Sequence, residues 1–304
     1  MAALSVTAQT ERWPPSGGPR ACNASERCFC HYCYIIPGGI PPPPPIGIMD
    51  VSNIPPADGL PSDGGVVSNK ETLFGGRAVY YKEDRAHILV VHRDGVKFLV
   101  TPPKDASGLL IPMKTSEFLD TYKLSIAING GGFTLQADGS AKPKGFVMSK
   151  GRVYSDEIDG VTMYIRRNNT VAFSRPTGTI YQAVSGDRML VEKGIPTPGE
   201  ENTVSPRTAI GLSRGEARLI LLVVDGNEAE GTGATYAEIA ALIKKYGAYK
   251  AMALDGGGSS TMVVKDKDGP RILNIPSDDN VPGRERPVAT HLGIAFKKKR
   301  KKED

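Results

Sequence analysis

Beyond Cys33 the chain contains no cysteine. Residues 34–304 therefore form no internal disulfide and suit an oxidising or a reducing compartment equally. Tryptophan occurs once, at Trp13, and aromatic residues make up only 7% of the chain, which leaves little material for an aromatic binding platform. Of the four histidines, His31, His87, His92 and His291, none beyond residue 33 stands in transition-metal spacing, and no metal or other cofactor is expected. His87 and His92 read as structural strand residues, and His291, which follows Glu285-Arg286-Pro287 closely, reads as a packed strand histidine with reach of the site as the alternative. No uninterrupted apolar run approaches the roughly 20 residues that a membrane-spanning helix needs. There is no large excess of either charge. The formal balance is 38 − 33 = +5, and residues 297–304 alone hold six basic and two acidic groups. Without them the balance is 32 − 31 = +1, so the body offers no compositional case for nucleic-acid binding. The basic run itself reads as a solvated tail.

What is present is unevenly placed. Twelve of the 24 prolines precede residue 70, among them the run Pro41 to Pro45. Residues 1–68 are rich in proline and glycine and poor in periodic apolar residues, a composition that cannot offset its ordering entropy by burial. It predicts a disordered or polyproline-II leader, without the basic and apolar regions of a signal peptide. The cluster Cys22, Cys28, Cys30, His31 and Cys33 reads as thiols within that leader, because structural zinc sites usually pair two separated knuckles. Limited proteolysis is expected to leave a resistant fragment beginning near residue 70; protection of Pro41 to Pro45 would contradict this.

From Leu73 onward the pattern changes to short strands. Residues 78–81, 87–92 and 96–101 are β-branched or aromatic, with Arg93-Asp94-Gly95 as a hairpin turn. A short helix is expected to be capped by Thr115 or Ser116 and to run through Tyr122. Strands follow at 124–128, 144–148, 152–154, 161–166 and 170–174. Residues 217–224 are almost continuously apolar, the pattern of a strand covered on both faces. Thr235-Tyr236-Ala237-Glu238 is a capping box, followed at helical spacing by Ile239, Ala240, Ile243 and Tyr246, with Gly247 placed to end the helix. Residues 250–254 and 261–265 are strands. The expected class is α+β: a mixed β-sheet core with few helices, including one βαβ unit over 217–254.

Two glycine triplets end apolar strands. They are Asn129-Gly130-Gly131-Gly132-Phe133 and Asp255-Gly256-Gly257-Gly258-Ser259-Ser260. Glycine lets the backbone approach a ligand closely, and neither loop fits a dinucleotide or phosphate-loop fingerprint. Arg207, followed by Thr208, and Arg286 each sit beside a proline at an expected strand start. Their forked donors match phosphate or carboxylate oxygens.

Taken together, Ile128 to Phe133, Pro206-Arg207-Thr208-Ala209-Ile210-Gly211, Val223-Val224-Asp225-Gly226, Gly233-Ala234-Thr235, Leu254 to Met262 and Glu285-Arg286-Pro287-Val288 form an ordered motif set. It resembles the phosphodiester glycosidase family, whose bacterial members are often labelled for exopolysaccharide biosynthesis. The resemblance spans about residues 73–296. It departs at Gly131, where many relatives are expected to carry an acid. It implies a catalytic domain over 69–296, flanked by the 1–68 leader and a 297–304 tail, in an exported or secretory-pathway protein.

The implied reaction is hydrolysis of a sugar-1-phosphodiester, or a related polysaccharide substrate, at the anomeric carbon. Positive charge grows on the sugar and negative charge on the departing phosphate. Arg207 and Arg286 suit the phosphate. Asp255, Asp225 and Glu285 are the carboxylates available to stabilise or attack the sugar centre, or to activate water. Asn129, Thr208, Ser259 and Ser260 are expected to orient hydroxyls or phosphate oxygens. Gly130, Gly131, Gly256, Gly257 and Gly258 are expected to offer close backbone contact. The alternative is a non-catalytic carbohydrate-binding domain, which the scarcity of aromatics and the acids in these loops disfavour.

Overall fold

The computed structural model describes residues 69–103, 109–158 and 160–297, all within the compact unit Ile54–Asp304. The expected leader with its cysteine cluster, and the tail from residue 298, lie outside the described residues. Strands dominate, with two α-helices among the described residues, Thr115–Thr121 and Tyr236–Lys245.

Three sheets converge on one apolar core. The eight-stranded sheet runs in the order Asn69–Leu73, Ala78–Glu83, Ala86–His92, Arg218–Val224, Arg207–Leu212, Lys250–Ala253, Met189–Glu192, Ile195–Pro196. A five-stranded sheet has Ile126–Asn129 at its centre, between Met262–Asp266 and His291–Phe296. A second five-stranded sheet centres on Ile180–Gly186.

The alternation within each strand explains the layering. In Arg218–Val224, Leu219, Leu221 and Val223 enter the shared core, while Ile220, Leu222 and Val224 enter a separate cluster. That cluster is completed by Tyr236, Ile239, Ala240 and Ile243 of the longer helix. The strand is therefore buried on both faces, as its unbroken apolar run predicts. The central five-stranded sheet behaves alike. Ile126 and Ile128 face the core, and Ala127 and Val263 face Phe118 and Leu119 of the short helix. The resulting order is helix, sheet, sheet, helix.

The longer helix begins as expected. Glu238 N donates to Thr235 Oγ1 at 3.2 Å, and Thr235 N donates to Glu238 Oε2 at 2.7 Å. Gly247, with φ +94°, follows its end in the left-handed region. The short helix starts one step differently. Its N-cap is Lys114, so Thr115 is already helical. The Ser116 N–H, an orphan donor of the first turn, finds its acceptor in Glu285.

The mixed-sheet expectation is corrected. Among the described residues every ladder between these strands is antiparallel. The strand–helix–strand succession is present, but Arg218–Val224 and Lys250–Ala253 do not pair. Arg207–Leu212 lies between them, antiparallel to both. It forms a hairpin with Arg218–Val224, and local hairpin pairing takes the edge that a parallel partner would need.

Candidate active site

The two glycine loops are joined at their first residues. Asn129 ends the central strand of its sheet and is 0% exposed. Its Nδ2 donates to the Asp255 carbonyl at 2.8 Å and to the Gly130 carbonyl at 3.2 Å. Its Oδ1 accepts from Thr208 Oγ1 at 2.9 Å and from the Thr261 N–H at 3.1 Å. Asp255 N in turn donates to the Gly130 carbonyl at 3.0 Å. All the hydrogen-bonding capacity of this side chain is spent inside the protein, so Asn129 and Thr208 hold the loops together instead of facing a ligand.

The glycines are required by close approach. A Cβ on Gly131 would stand 2.3 Å from the Ser185 carbonyl oxygen, and one on Gly130 would stand 2.3 Å from Thr290 Oγ1. An acidic side chain at 131 therefore has no room in this chain. In the second triplet, a Cβ on Gly256 would meet the Pro206 carbonyl at 2.8 Å. On Gly257, itself at φ +56°, it would meet Glu228 Oε1 at 2.8 Å, and on Gly258 it would meet Arg286 Nη2 at 2.7 Å. Ser259, Ser260 and Thr261 follow with buried hydroxyls that have no hydrogen-bond partner among the described residues.

Asp255 sits where two cavities meet. The larger, of about 880 Å³, and the smaller, of about 280 Å³, both have Gly132, Lys144 and Asp255 in their linings. The larger also has Arg286 and Asp278, and the smaller has Ser185, Asp187, Tyr236 and Gly256. Burial pushes the Asp255 carboxyl above the ordinary aspartate range. The Ser259 hydroxyl, close by but outside hydrogen-bond geometry, opposes this, as do the charges of Arg286 and Lys144 and the Gly256 N–H. Arg286 is aimed by Asp278, whose Oδ1 accepts from its Nε at 2.6 Å. It lies in the loop before His291–Phe296 and not at a strand start.

The other candidates lie elsewhere. Arg207 opens its strand as expected, but its Nε donates to the Ala234 carbonyl at 3.1 Å and its Nη2 to the Thr203 carbonyl at 2.6 Å. Its guanidinium stacks 3.8 Å from the Tyr236 ring centroid, and Arg188 lies 4.0 Å from the same centroid. Burial pushes the Tyr236 phenol up to about 12 against the pull of Arg207, so it stays a neutral donor beside the smaller cavity. Asp225 is engaged at both oxygens: His87 Nε2 lies 2.8 Å from Oδ2, and the Ile275 N–H donates to Oδ1 at 2.7 Å. Glu285 accepts at Oε1 from Ser116 N at 3.1 Å and at Oε2 from the Ser116 hydroxyl, capping the short helix from 169 residues away. Neither acid lines the two cavities. His291 is packed against Phe118, and burial pushes its pKa down to about 3.

Lys144, Tyr236, Asp187 and Asp278 carry no sequence signal for this site. Lys144 is one basic residue among 38, and Tyr236 reads only as part of a helix cap. Among the described residues no group of three or more His, Cys, Asp or Glu is arranged to hold a metal, and no helix is long and apolar enough to cross a membrane.

Comparison with known proteins agrees with the motif set. The sequence model of the family described as phosphodiester glycosidase matches residues 122–295. Mouse N-acetylglucosamine-1-phosphodiester alpha-N-acetylglucosaminidase is 29% identical over 196 residues, covering 54% of this chain and 36% of the mouse protein. A prophage-derived uncharacterised protein of Bacillus subtilis, YomE, is 36% identical over 95 residues, 31% of this chain and 13% of its own length. The chain thus spans little more than a third of the longer-matched curated relative. The zebrafish catalytic domain of the same glucosaminidase, solved in a form auto-inhibited by its pro-peptide, shares the fold. Its TM-score is 0.56 at 23% identity, over 75% of this chain and 81% of that one. A hypothetical protein from Synechocystis superposes with a TM-score of 0.51 at 13% identity, over 75% of this chain and 61% of its own. With more than half of its length matched by the family's sequence model, and the motif set in the family's order, this chain belongs to the phosphodiester glycosidase family.

Proposed function

We propose that this chain hydrolyses a sugar-1-phosphodiester at the anomeric carbon, with the sugar in the smaller cavity and the phosphate in the larger. The observation that carries this reading is the seam between them, where Asp255, Lys144 and Gly132 belong to both linings. A scissile bond across that seam has a carboxylate at the sugar side and two cations, Lys144 and Arg286, at the phosphate side, where Asp278 holds Arg286 and Asp279 also lines the cavity. The C1–O bond breaks with its electron pair staying on the phosphate oxygen, and water supplies the hydroxyl to C1. The departing phosphate monoester is a good leaving group, so cations that neutralise it matter more than a strong general acid. Asp255 stabilises the oxocarbenium-like centre or takes part in the attack on it. Asp187 and Tyr236 offer carboxylate and hydroxyl partners to a sugar ring, while the Ser185 hydroxyl is spent on the Phe146 carbonyl. Arg207 serves by holding Tyr236 in place.

The name of the mouse relative specifies an N-acetylglucosamine-1-phosphodiester. The methyl diester of that sugar phosphate is the probe of choice. The expected result is release of free sugar and methyl phosphate. Arg286→Ala is expected to lower kcat/KM by about 10²- to 10³-fold, the cost of one transition-state charge partner. Sugar binding without turnover would place the chain with carbohydrate-binding domains. Neither binding nor turnover would remove the reading altogether.

A further inference from the structure

The larger cavity has two unlike walls. Lys144, Asp255, Asp278, Asp279 and Arg286 are the charged part of its lining. Thr134 and two glycines also line it, and the other five side chains are apolar: Ile111, Pro112, Phe133, Leu135 and Pro287. Ile111 is 52% exposed and Leu135 62%, so two large aliphatic side chains face open space inside the site.

This wall is built firmly and is not a loose loop tip. Phe133–Leu135 pairs with Ala141–Pro143, Leu135 standing opposite Ala141. Leu110 bridges Ala141, and Met113 bridges Val288. Ile111 and Pro112 are therefore held between two pinned points, with Pro287 beside the second. The apolar surface is preformed at the cost of exposing aliphatic area to water.

We propose that the apolar wall receives the leaving alcohol of the phosphodiester, and that this alcohol is an alkyl or aryl group and not a sugar. The proposal rests on the sugar-phosphodiester reading above. Cleavage at C1 leaves the phosphorus–oxygen–alcohol linkage intact, so the departing group is an alkyl or aryl phosphate. Such a group has a charged head and an apolar body. Lys144 and Arg286 meet the head, and the body lies along Ile111, Phe133 and Leu135. A hexosyl group in the same place would meet polar side chains only at Thr134 and Asp279 and would turn its other hydroxyls toward Ile111, Pro112, Phe133, Leu135 and Pro287, whose side chains have no donor or acceptor, and proline lacks even the backbone N–H.

The test compares three N-acetylglucosamine-1-phosphodiesters, those of methanol, octanol and glucose, on the full chain. Each fully buried methylene multiplies affinity by about fourfold, so burial of three of the octyl methylenes raises kcat/KM roughly 60-fold over methyl. The glucosyl ester is expected to gain nothing over methyl. Leu135→Ser is expected to cut the octyl-to-methyl ratio severalfold. Equal rates for octyl and methyl, a preference for the glucosyl ester, or an unchanged ratio in Leu135→Ser would overturn the proposal.

If no diester is cleaved, the catalytic reading fails, and the wall is then judged by calorimetry with octyl phosphate and methyl phosphate. Tighter octyl binding that weakens in Leu135→Ser supports the subsite, and equal binding removes it. A dimer in sedimentation that dissociates in Leu135→Ser would instead seat a second copy on the wall, and would also overturn the proposal.

Discussion

Asp255→Asn is expected to lower kcat by about 10³-fold or more while leaving the protein folded and sugar binding largely intact. The carboxylate is placed by the core and not by a mobile loop. It follows the Lys250–Ala253 strand, its backbone N–H donates to the Gly130 carbonyl, and its carbonyl accepts from Asn129. Asparagine keeps the shape and loses the charge that the proposed reaction places at the sugar centre. The pH dependence has a definite sign. Burial pushes this carboxyl above its ordinary value, so the active, ionised form is lost on the acid side at a higher pH than an exposed aspartate would allow.

Stability runs the other way. A raised folded-state pKa means that the native state holds its proton more tightly than the unfolded chain does. Below the ordinary aspartate value of 3.8 both states are protonated and the residue carries no penalty. As pH rises through the raised value the penalty grows to its full size. Asp255→Asn should therefore melt higher than the parent at neutral pH, with the difference shrinking as pH falls toward 3.8. Thermal melts across pH and kinetics on the methyl diester check both halves. A folded variant that hydrolyses the diester at the parental rate would end the assignment of Asp255.

Asn129→Ala is expected to cost about 4 kcal/mol of stability, which lowers the melting temperature by roughly 10 °C in a domain of this size. The side chain is 0% exposed and links three segments through four hydrogen bonds. Truncation strands the Thr208 hydroxyl, the Thr261 N–H and the Asp255 carbonyl in a dry interior, each at about 1–3 kcal/mol if nothing replaces the bond. Asn129→Asp should be no better. It preserves the acceptor for Thr208 and Thr261 but sets a carboxylate oxygen against two carbonyls where Nδ2 now donates. Denaturant midpoints measure the loss. A cost below about 1 kcal/mol would mean that water or a neighbour takes over these bonds, and the pin would not be what positions Asp255.

The elements legible from sequence are those that local physics encodes. Period and burial can be read from residue type. The apolar run at 217–224 does become a strand covered on both faces, and Thr235 with Glu238 does open a helix that ends before Gly247. The same run did not disclose strand direction. A strand buried on both faces reads alike in a parallel sheet and in this antiparallel one, where a helix covers one side and a second sheet the other. The glycine triplets and the family motif set also belong to the sequence, since backbone approach and motif order are written in it directly.

Partner choice is not. Asn129, Arg207, Asp225 and Glu285 are polar residues whose types suit a ligand, yet each has its hydrogen bonds answered by a protein group distant in sequence. Glu285 and Ser116 are 169 positions apart, and no periodicity connects them. Lys144, between two strands, and Tyr236, the first residue of the longer helix, reach the cavities only because the tertiary fold brings these elements to one place. A carboxylate or a cation acquires its role from what faces it at a few ångströms, and only the tertiary structure decides that, because hydrogen-bond partners are selected by spatial closure and not by position along the chain.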